Sequence, residues 1–402
     1  MELLSPAGNM ERLETAFYFG ADAVYLSGRT FGLRAYAGNF DDAQLEQAVL
    51  YAHGLGKKAY IAANIFLREQ DIPAFKDYIA LLGRIAADGV IISDLGAAAL
   101  AKEICPELPL HISTQFNAMN HLTISSLHNI GASRIILARE LSIEEIRRIR
   151  DNIPEDIELE GFVHGAMCMA YSGRCLLSSF LTGRQANRGE CTQPCRWEYS
   201  LLEKQRPNEY MPIIEDEHGT YILNSRDLCM IEHLDDLRRA GINCIKIEGR
   251  MKTAYYTAVV TNAYRRALTL LEQGREFDPA LKEELLTASN RDFTTGFYYG
   301  NPLCGGQRPQ SSKCLQSYEF AALCLSSDGS YAVVEQRNKI NRGDILEILS
   351  PNSYNHSTIK AEHILDIEDN PLECADKVQQ IIKIPCSEPL QKNDILRKRI
   401  QS

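Results

Sequence analysis

Eight short apolar segments recur along the first 270 or so residues, each followed by an amphipathic helical pattern. This rhythm restricts the fold more than any other feature of the chain. The strand candidates are residues 2–5, 23–26, 58–64, 89–93, 109–113, 134–137, 157–163 and 244–248. Helical patterns follow, among them 10–20, 42–54, 72–87, 143–151 and 253–273. In the segment 72–87, Phe75, Tyr78, Ile79, Leu82 and Ile85 recur at helical spacing, so one face is apolar. Asp41 with Asp42, and Ser142 with Glu145, stand where helix N-caps belong. Eight β/α units in this length predict an α/β chain folded as a (β/α)8 TIM-type barrel. A doubly wound open sheet satisfies the same rhythm and is the competing architecture.

The rhythm breaks once. About 60 residues, 165–224, separate the seventh strand from the seventh helix, where a barrel ordinarily needs a few. In a barrel that loop lies at the C-terminal rim, where active sites are built, so a functional insertion is expected after strand seven. Past residue 275 the character changes. A short helix at 280–288 gives way to β-like runs at 320–325, 331–335, 344–349, 357–367, 379–384 and 395–398, separated by turn signals. The stretch 301–312, rich in Gly, Pro, Gln and Ser, marks the boundary. The expected domains are a barrel over residues 1–300 and a C-terminal all-β, barrel-like domain over residues 306–402.

Composition matters here mainly through cysteine. Twelve cysteines in 402 residues are far too few for a disulfide scaffold. The N-terminal stretch carries neither a basic region nor an apolar signal core, and no run of about 18 apolar residues occurs. A cytoplasmic chain with no membrane span and reduced thiols is therefore expected. Five cysteines fall within residues 168–229: Cys168, Cys175, Cys191, Cys195 and Cys229. Clustered thiols in a reduced chain point to zinc or an iron–sulfur cluster, and small buried hydrophobes are the bland alternative. Irregular spacing with a distant last member fits an iron–sulfur cluster better than the close pairs of structural zinc sites. The net charge of −10 excludes a wholly basic nucleic-acid binder. Residues 174–206 nevertheless hold six basic residues against three acidic ones, and the tail 392–399 holds four against one. Such patches suit an anionic polymer, and a solvated face is the alternative.

The insertion reads Glu160-x-Phe162-x2-Gly165-Ala-Met-Cys168-x4-Gly173-x-Cys175-x-Leu177-Ser178. Elsewhere stand Leu4-Ser-Pro-Ala-Gly8, Asn187-Arg-Gly189, Cys191-Thr-Gln-Pro-Cys-Arg196, Lys246-Ile-Glu-Gly-Arg-Met-Lys252 and Asn290-Arg-Asp-Phe-Thr-Thr-Gly-Phe-Tyr298. This pattern, which runs along almost the whole chain, resembles the collagenase-like peptidase family. Despite that name, the resemblance implies cluster-dependent hydroxylation, whose substrates in the family include a wobble uridine of tRNA, ribosomal RNA and ubiquinone precursors. It implies a [4Fe-4S] cluster held by Cys168, Cys175, Cys191 and Cys229, with Cys195 a neighbour or alternate ligand. The β-rich tail and the run from Cys191 to Trp197 and Tyr199 most resemble the branch that forms 5-hydroxyuridine at the wobble position of tRNA. For that branch the resemblance implies prephenate as hydroxyl donor, tRNA as partner and dependence on the iron–sulfur assembly machinery.

Candidate site residues follow from chemistry and position. A dicarboxylate donor needs guanidinium forks, and Arg139, Arg226 and Arg250 stand at predicted strand ends. His111 and Gln115 close strand five and complete the candidate substrate-binding set with Trp197, which could stack on a base or shield the cluster. His164 closes strand seven four residues before Cys168 and is the candidate titrating group. Lys246 and Glu248 alternate on strand eight, so both point to one side, and they join His164 as candidate catalytic groups or as a structural ion pair.

Several motifs fail on context. Gly54-Leu-Gly-Lys-Lys-Ala59 matches a relaxed dinucleotide fingerprint but precedes a strand. No H-E-x-x-H, G-x-S-x-G or Walker sequence is present. The competing functions are a peptidase with a reactive cysteine and His164, hydroxylation of ribosomal RNA or a ubiquinone precursor, and a non-catalytic RNA- or partner-binding module.

Overall fold

The computed structural model describes residues 1–33, 38–168, 170–197, 214–216, 219–221, 225–302, 315–351, 357–387 and 390–400. In chain order its first strands are β1 (Glu2–Pro6), β2 (Ala23–Leu26), β3 (Lys58–Ala62), β4 (Gly89–Ile92), β5 (Leu110–Ile112), β6 (Ala132–Ile136) and β7 (Glu158–Ala166). A hairpin of β8 (Ile214–Asp216) and β9 (Gly219–Tyr221) follows, then β10 (Asp227–Cys229) and β11 (Cys244–Ile247). Strands β1 to β7 pair in parallel with their neighbours, and β11 pairs with both β7 and β1, which closes the ring. The closed ring settles the architecture as a (β/α)8 barrel and excludes the open sheet.

Helices α1 (Met10–Tyr18), α2 (Asp42–Gly54), α3 (Ile72–Arg84), α4 (Leu95–Ile104), α5 (His121–Asn129) and α6 (Ile143–Arg150) each follow a strand. The short α7 (Leu177–Thr182) belongs to the insertion, and α8 (Leu234–Arg239) and α9 (Ala254–Glu272) complete the outer layer. Helices cover the strands, so the strands are buried and read as apolar runs. Leu3, Leu4, Val24, Leu26, Ile61 and Val90 are fully buried. Phe75, Tyr78, Ile79 and Leu82 form the buried face of α3 and Ile85 its buried C-cap, each large side chain contributing roughly 1.5–3 kcal/mol. Asp41 with Gln44, and Ser142 with Glu145, close complete capping boxes on α2 and α6. Two expected strands end early, and at the rim just beyond them the Asn64 amide donates to the Ser113 hydroxyl at 3.4 Å.

The return of the insertion is the feature the β/α rhythm does not reveal. Strand β10 runs antiparallel to the end of β7, pairing Asp227 with Ala166, Leu228 with Gly165 and Cys229 with His164. Strand β12 (Phe293–Thr294), which follows α10 (Ala280–Leu285), then adds parallel to β10. Gly165 is required at this crossing: its φ is +103°, and a Cβ there would lie 2.4 Å from the Glu248 carbonyl oxygen.

The C-terminal domain holds β13 (Tyr318–Ser327), β14 (Tyr331–Gln336), β15 (Ile340–Asn341), β16 (Ile345–Leu349), β17 (Thr358–Lys360), β18 (Ile364–Leu365), β19 (Pro371–Leu372), β20 (Cys374–Ala375), β21 (Ile381–Pro385) and β22 (Ile395–Arg399). Eight of these form one antiparallel sheet in the order β17-β16-β22-β13-β14-β21-β18-β19, around a core of its own. The expected single run 357–367 is two strands, because Ala361 donates its N–H to Asp344 and the chain turns there.

Within the basic run Arg397-Lys398-Arg399 only Arg397 serves the domain junction and Lys398 is paired inside the C-terminal domain, so the expected positive surface patch shrinks to the exposed Lys392 and Arg399. Arg397 is buried and forks between Glu284 of α10 and Glu347 of β16, with Tyr255 of α9 in reach. Lys398 pairs with Asp344 at 3.0 Å and Glu319 at 3.2 Å. Arg337 and Tyr18 add a second seam, Arg337 to Glu11 at 2.7 Å and the Tyr18 hydroxyl donating to Asp394 at 2.9 Å.

Candidate functional site

A cavity of about 150 Å³ opens at the C-terminal mouth of the barrel. Its floor is Tyr25, Phe162 and Lys246, the last extending over the Tyr25 ring at 4.3 Å. Asn64, Ser113, Gln115 and Arg139 form one wall, and Glu248 and Arg250 another. The roof comes from the insertion and includes Cys168, Tyr171, Gly173, Cys175, Ala186 and Cys191.

The insertion is fastened over the mouth from three sides. Arg188 forks onto Asp71 at 2.7 and 3.2 Å and donates to the Phe66 carbonyl at 2.9 Å. Arg68 donates to Gln185 at 2.7 Å. Arg174 donates to Asn117 at 2.9 Å, while the Asn117 amide reaches the Ser172 carbonyl at 3.2 Å. Gly173, with φ +78°, lies so close to Gln115 that a Cβ would meet Oε1 at 2.8 Å. These clamps bring Cys168, Cys175 and Cys191 over the strand ends, although 23 positions separate the first from the last.

The thiols are unpaired with one another, and three share one cavity. The Cys191 sulfur accepts a backbone N–H from Gln193 at 3.4 Å, and Thr192 is held by Ser178. Hydrogen bonds of this type stabilise a metal-bound thiolate. Among the described residues no three His, Cys, Asp or Glu side chains converge as a single-ion site requires. Thiolates are the donor type that structural zinc and iron–sulfur clusters share. Cys229 lies outside the lining, buried on β10, where burial pushes its thiol up to about 11. Cys195 is half-buried and does not line the cavity.

The charged groups of the mouth rest on a buried ionic layer inside the barrel. Lys246 Nζ donates to Glu160 at 2.8 Å, and Arg134 reaches Glu160 at 3.5 Å and Glu2 at 2.7 Å. Arg139 donates to the Ala166 carbonyl at 2.7 Å, lies 3.6 Å from Glu248 and stacks over Phe162. Its Nε, and Gln115 Oε1, are buried at the cavity with no hydrogen-bond partner among the described residues.

The candidates divide accordingly. Gln115, Arg139, Arg250, Lys246 and Glu248 line the cavity with three cysteines. His111 lies below it, edge-on to Tyr60, and burial followed by the charges of Arg134 and Lys246 drives its pKa well below the ordinary value. His164 is outside: a register shift between β7 and β11 turns it toward Tyr256, Tyr264 and Phe293. Burial lowers its pKa to about 3, so it is a neutral, caged imidazole. Arg226 and Trp197 do not line the cavity, and Trp197 is exposed. Lys204 and Arg206 lie outside the described residues. The residues that sequence reasoning missed are Tyr25, Asn64, Ser113 and the Arg188–Asp71 clamp. The first three stand at or just beyond the C-terminal ends of barrel strands, which is the signal that would have found them.

The model of peptidase family U32 fits residues 8–308, and that of the peptidase family U32 C-terminal domain fits residues 316–397. The chain is 35% identical over 448 residues to "tRNA hydroxylation protein P" of Escherichia coli, covering 99% of this chain and 96% of that one. It is 35% identical over 402 residues to "tRNA hydroxylation protein P1" of Bacillus subtilis, covering 99% and 94%. It is 29% identical over 411 residues to a "Collagenase" of Porphyromonas gingivalis, covering 98% and 97%. With one model spanning the barrel and its cysteine-bearing roof and the other the appended sheet, the chain belongs to peptidase family U32.

Proposed function

We propose that this chain is a tRNA hydroxylation enzyme. It forms 5-hydroxyuridine at the wobble position, with prephenate as hydroxyl donor and a [4Fe-4S] cluster held by Cys168, Cys175, Cys191 and Cys229. The observation that carries the reading is a cavity roofed by three thiols and walled by cations, in a chain 35% identical over nearly its whole length to two proteins named for tRNA hydroxylation. Held by four cysteines, the cluster would have no open iron for substrate and would supply electrons.

The chain's own residues bind and orient. Arg139, Arg250 and Lys246 present the cationic surface that a dicarboxylate needs, two of them as guanidinium forks. Gln115 Oε1 is an unfilled acceptor for a substrate hydroxyl, and Arg139 Nε an unfilled donor for a carboxylate. Glu248 is the carboxylate at the mouth placed to hold or move a proton. Trp197, exposed on the insertion, offers a stacking face to an unpaired base. The reading implies loading by the iron–sulfur assembly machinery and a cytoplasmic location. No helix among the described residues is long and apolar enough to cross a membrane.

The peptidase reading, which the collagenase relative raises, would pair a cysteine with His164. The cysteine beside His164 is Cys229, its register partner across β7 and β10, but burial pushes the Cys229 thiol up to about 11 and the imidazole down to about 3, and neither residue lines the cavity, so the two do not form a thiolate–imidazolium pair there.

The test is mass analysis of tRNA nucleosides from a strain lacking this chain and every other member of its family. Re-expression is expected to restore 5-hydroxyuridine and its derivatives. Unmodified wobble uridine after re-expression of soluble, loaded protein contradicts the reading.

A further inference from the structure

We infer that the cleft at the junction of the two domains is a second contact for the RNA, one that takes backbone phosphates well away from the mouth. The inference rests on the tRNA reading above and deepens it. The cleft has a volume of about 600 Å³ and lies between the C-terminal half of α9, the end of α1 and two loop residues of the C-terminal domain, Pro351 and Gln391. Arg265, Arg266 and Arg275 line it, and no acidic residue does among the described residues. That is unusual local chemistry in a chain of net charge −10. Arg265 is held by Asp22 and the Gly20 carbonyl, which fixes its guanidinium in place. The other nearby acid, Asp394, accepts from Tyr18 and from the Gln391 N–H.

The second observation is an orphaned donor. Asn262 lines the cleft and is 2% exposed, yet its Nδ2 has no hydrogen-bond partner among the described residues. A buried amide N–H2 left without an acceptor costs about 1–3 kcal/mol, so an acceptor from a ligand fits there. Asn262, Arg265, Arg266, Thr269 and Gln273 fall on one face of α9 at i, i+3, i+4, i+7 and i+11. The ligand chemistry is therefore an oxyanion, and guanidinium forks favour phosphate.

Position favours a polymer over a free ion. Helix α9 starts four residues after Arg250, at the mouth, and its 19 residues end at the cleft. At 1.5 Å per residue the cleft lies about 12–28 Å along the helix from the mouth, within the roughly 34–36 Å of one duplex turn. An RNA with its loop at the mouth and its stem along this flank reaches the cleft.

The experiment measures binding of full-length tRNA and of an isolated anticodon stem-loop across a salt series. Wild type is compared with Gln273→Glu/Arg275→Glu, two exposed positions, and with Arg266→Glu. Inorganic phosphate is included as competitor. The exposed pair is expected to weaken full-length tRNA about tenfold and to flatten its salt slope by about one phosphate contact, with stem-loop binding unchanged. Full-length binding and slope unchanged in the exposed pair overturn the inference while leaving the tRNA reading intact. Failure of the wild-type chain to bind either RNA overturns both. Phosphate binding in the cleft without any effect of the variants on RNA marks it as an anion site only, and also overturns the inference.

Discussion

Replacing Cys168, Cys175 or Cys191 by serine is expected to abolish wobble hydroxylation in a complemented strain and to strip most of the iron from the purified protein. The three thiols roof the same cavity, held over the strand ends by Arg188–Asp71 and Arg174–Asn117. A hydroxyl in place of any one of them removes a soft anionic ligand that iron–sulfur clusters require. Losing one ligand of a cluster is not made good by its neighbours, so the loss of product should exceed about 100-fold. Cys229→Ser is expected to behave in the same way if β10 carries the fourth ligand. Cys195→Ser separates the two thiols that lie outside the cavity lining: retained iron and product are expected and leave Cys229 as the fourth ligand, whereas their loss would make Cys195 the ligand instead. Retention of iron and modification in Cys175→Ser or Cys191→Ser would remove the cluster from the account. The measurements are iron content by atomic absorption and nucleoside mass analysis.

The second large effect is structural. Glu160→Ala is expected to destabilise the barrel by about 3–5 kcal/mol, because it leaves buried cations without their counter-charge. Glu160 is wholly buried, with Lys246 at 2.8 Å on one oxygen and Arg134 at 3.5 Å on the other. Arg134 keeps Glu2 and Glu158, but Lys246 has Glu160 as its one ion-pair partner among the described residues. Pairing the change with Lys246→Met removes the uncompensated charge and should recover a large part of the loss. Urea denaturation of the single and double variants reads this directly. Equal destabilisation by both would show that Glu160 acts through packing alone.

The barrel was legible because its strands are buried on both faces and its helices on one, so strand and helix alternate visibly in apolar pattern. The C-terminal sheet was legible from turn residues, down to strands such as Tyr331–Gln336. The insertion announced itself by length, and its cysteines by clustering. What stayed hidden depends on contacts between distant positions. His164 looked like a mouth residue by counting along strand seven, and a single register shift at the β7–β11 pairing turns it into the aromatic cage. Arg397 looked like part of a basic tail, but its carboxylates lie 113 and 50 residues away in sequence. Arg139 and Arg250 were found because strand ends in a barrel converge, whatever their separation along the chain. Arg226 satisfied the same rule and missed the cavity, because β10 lies outside the ring of eight.

The central claim is that the thiol-roofed mouth is an iron–sulfur centre, and elemental analysis of protein purified without oxygen tests it most directly. Iron and acid-labile sulfide in equal amounts, about four of each per chain, are predicted. Zinc bound without labile sulfide would contradict it.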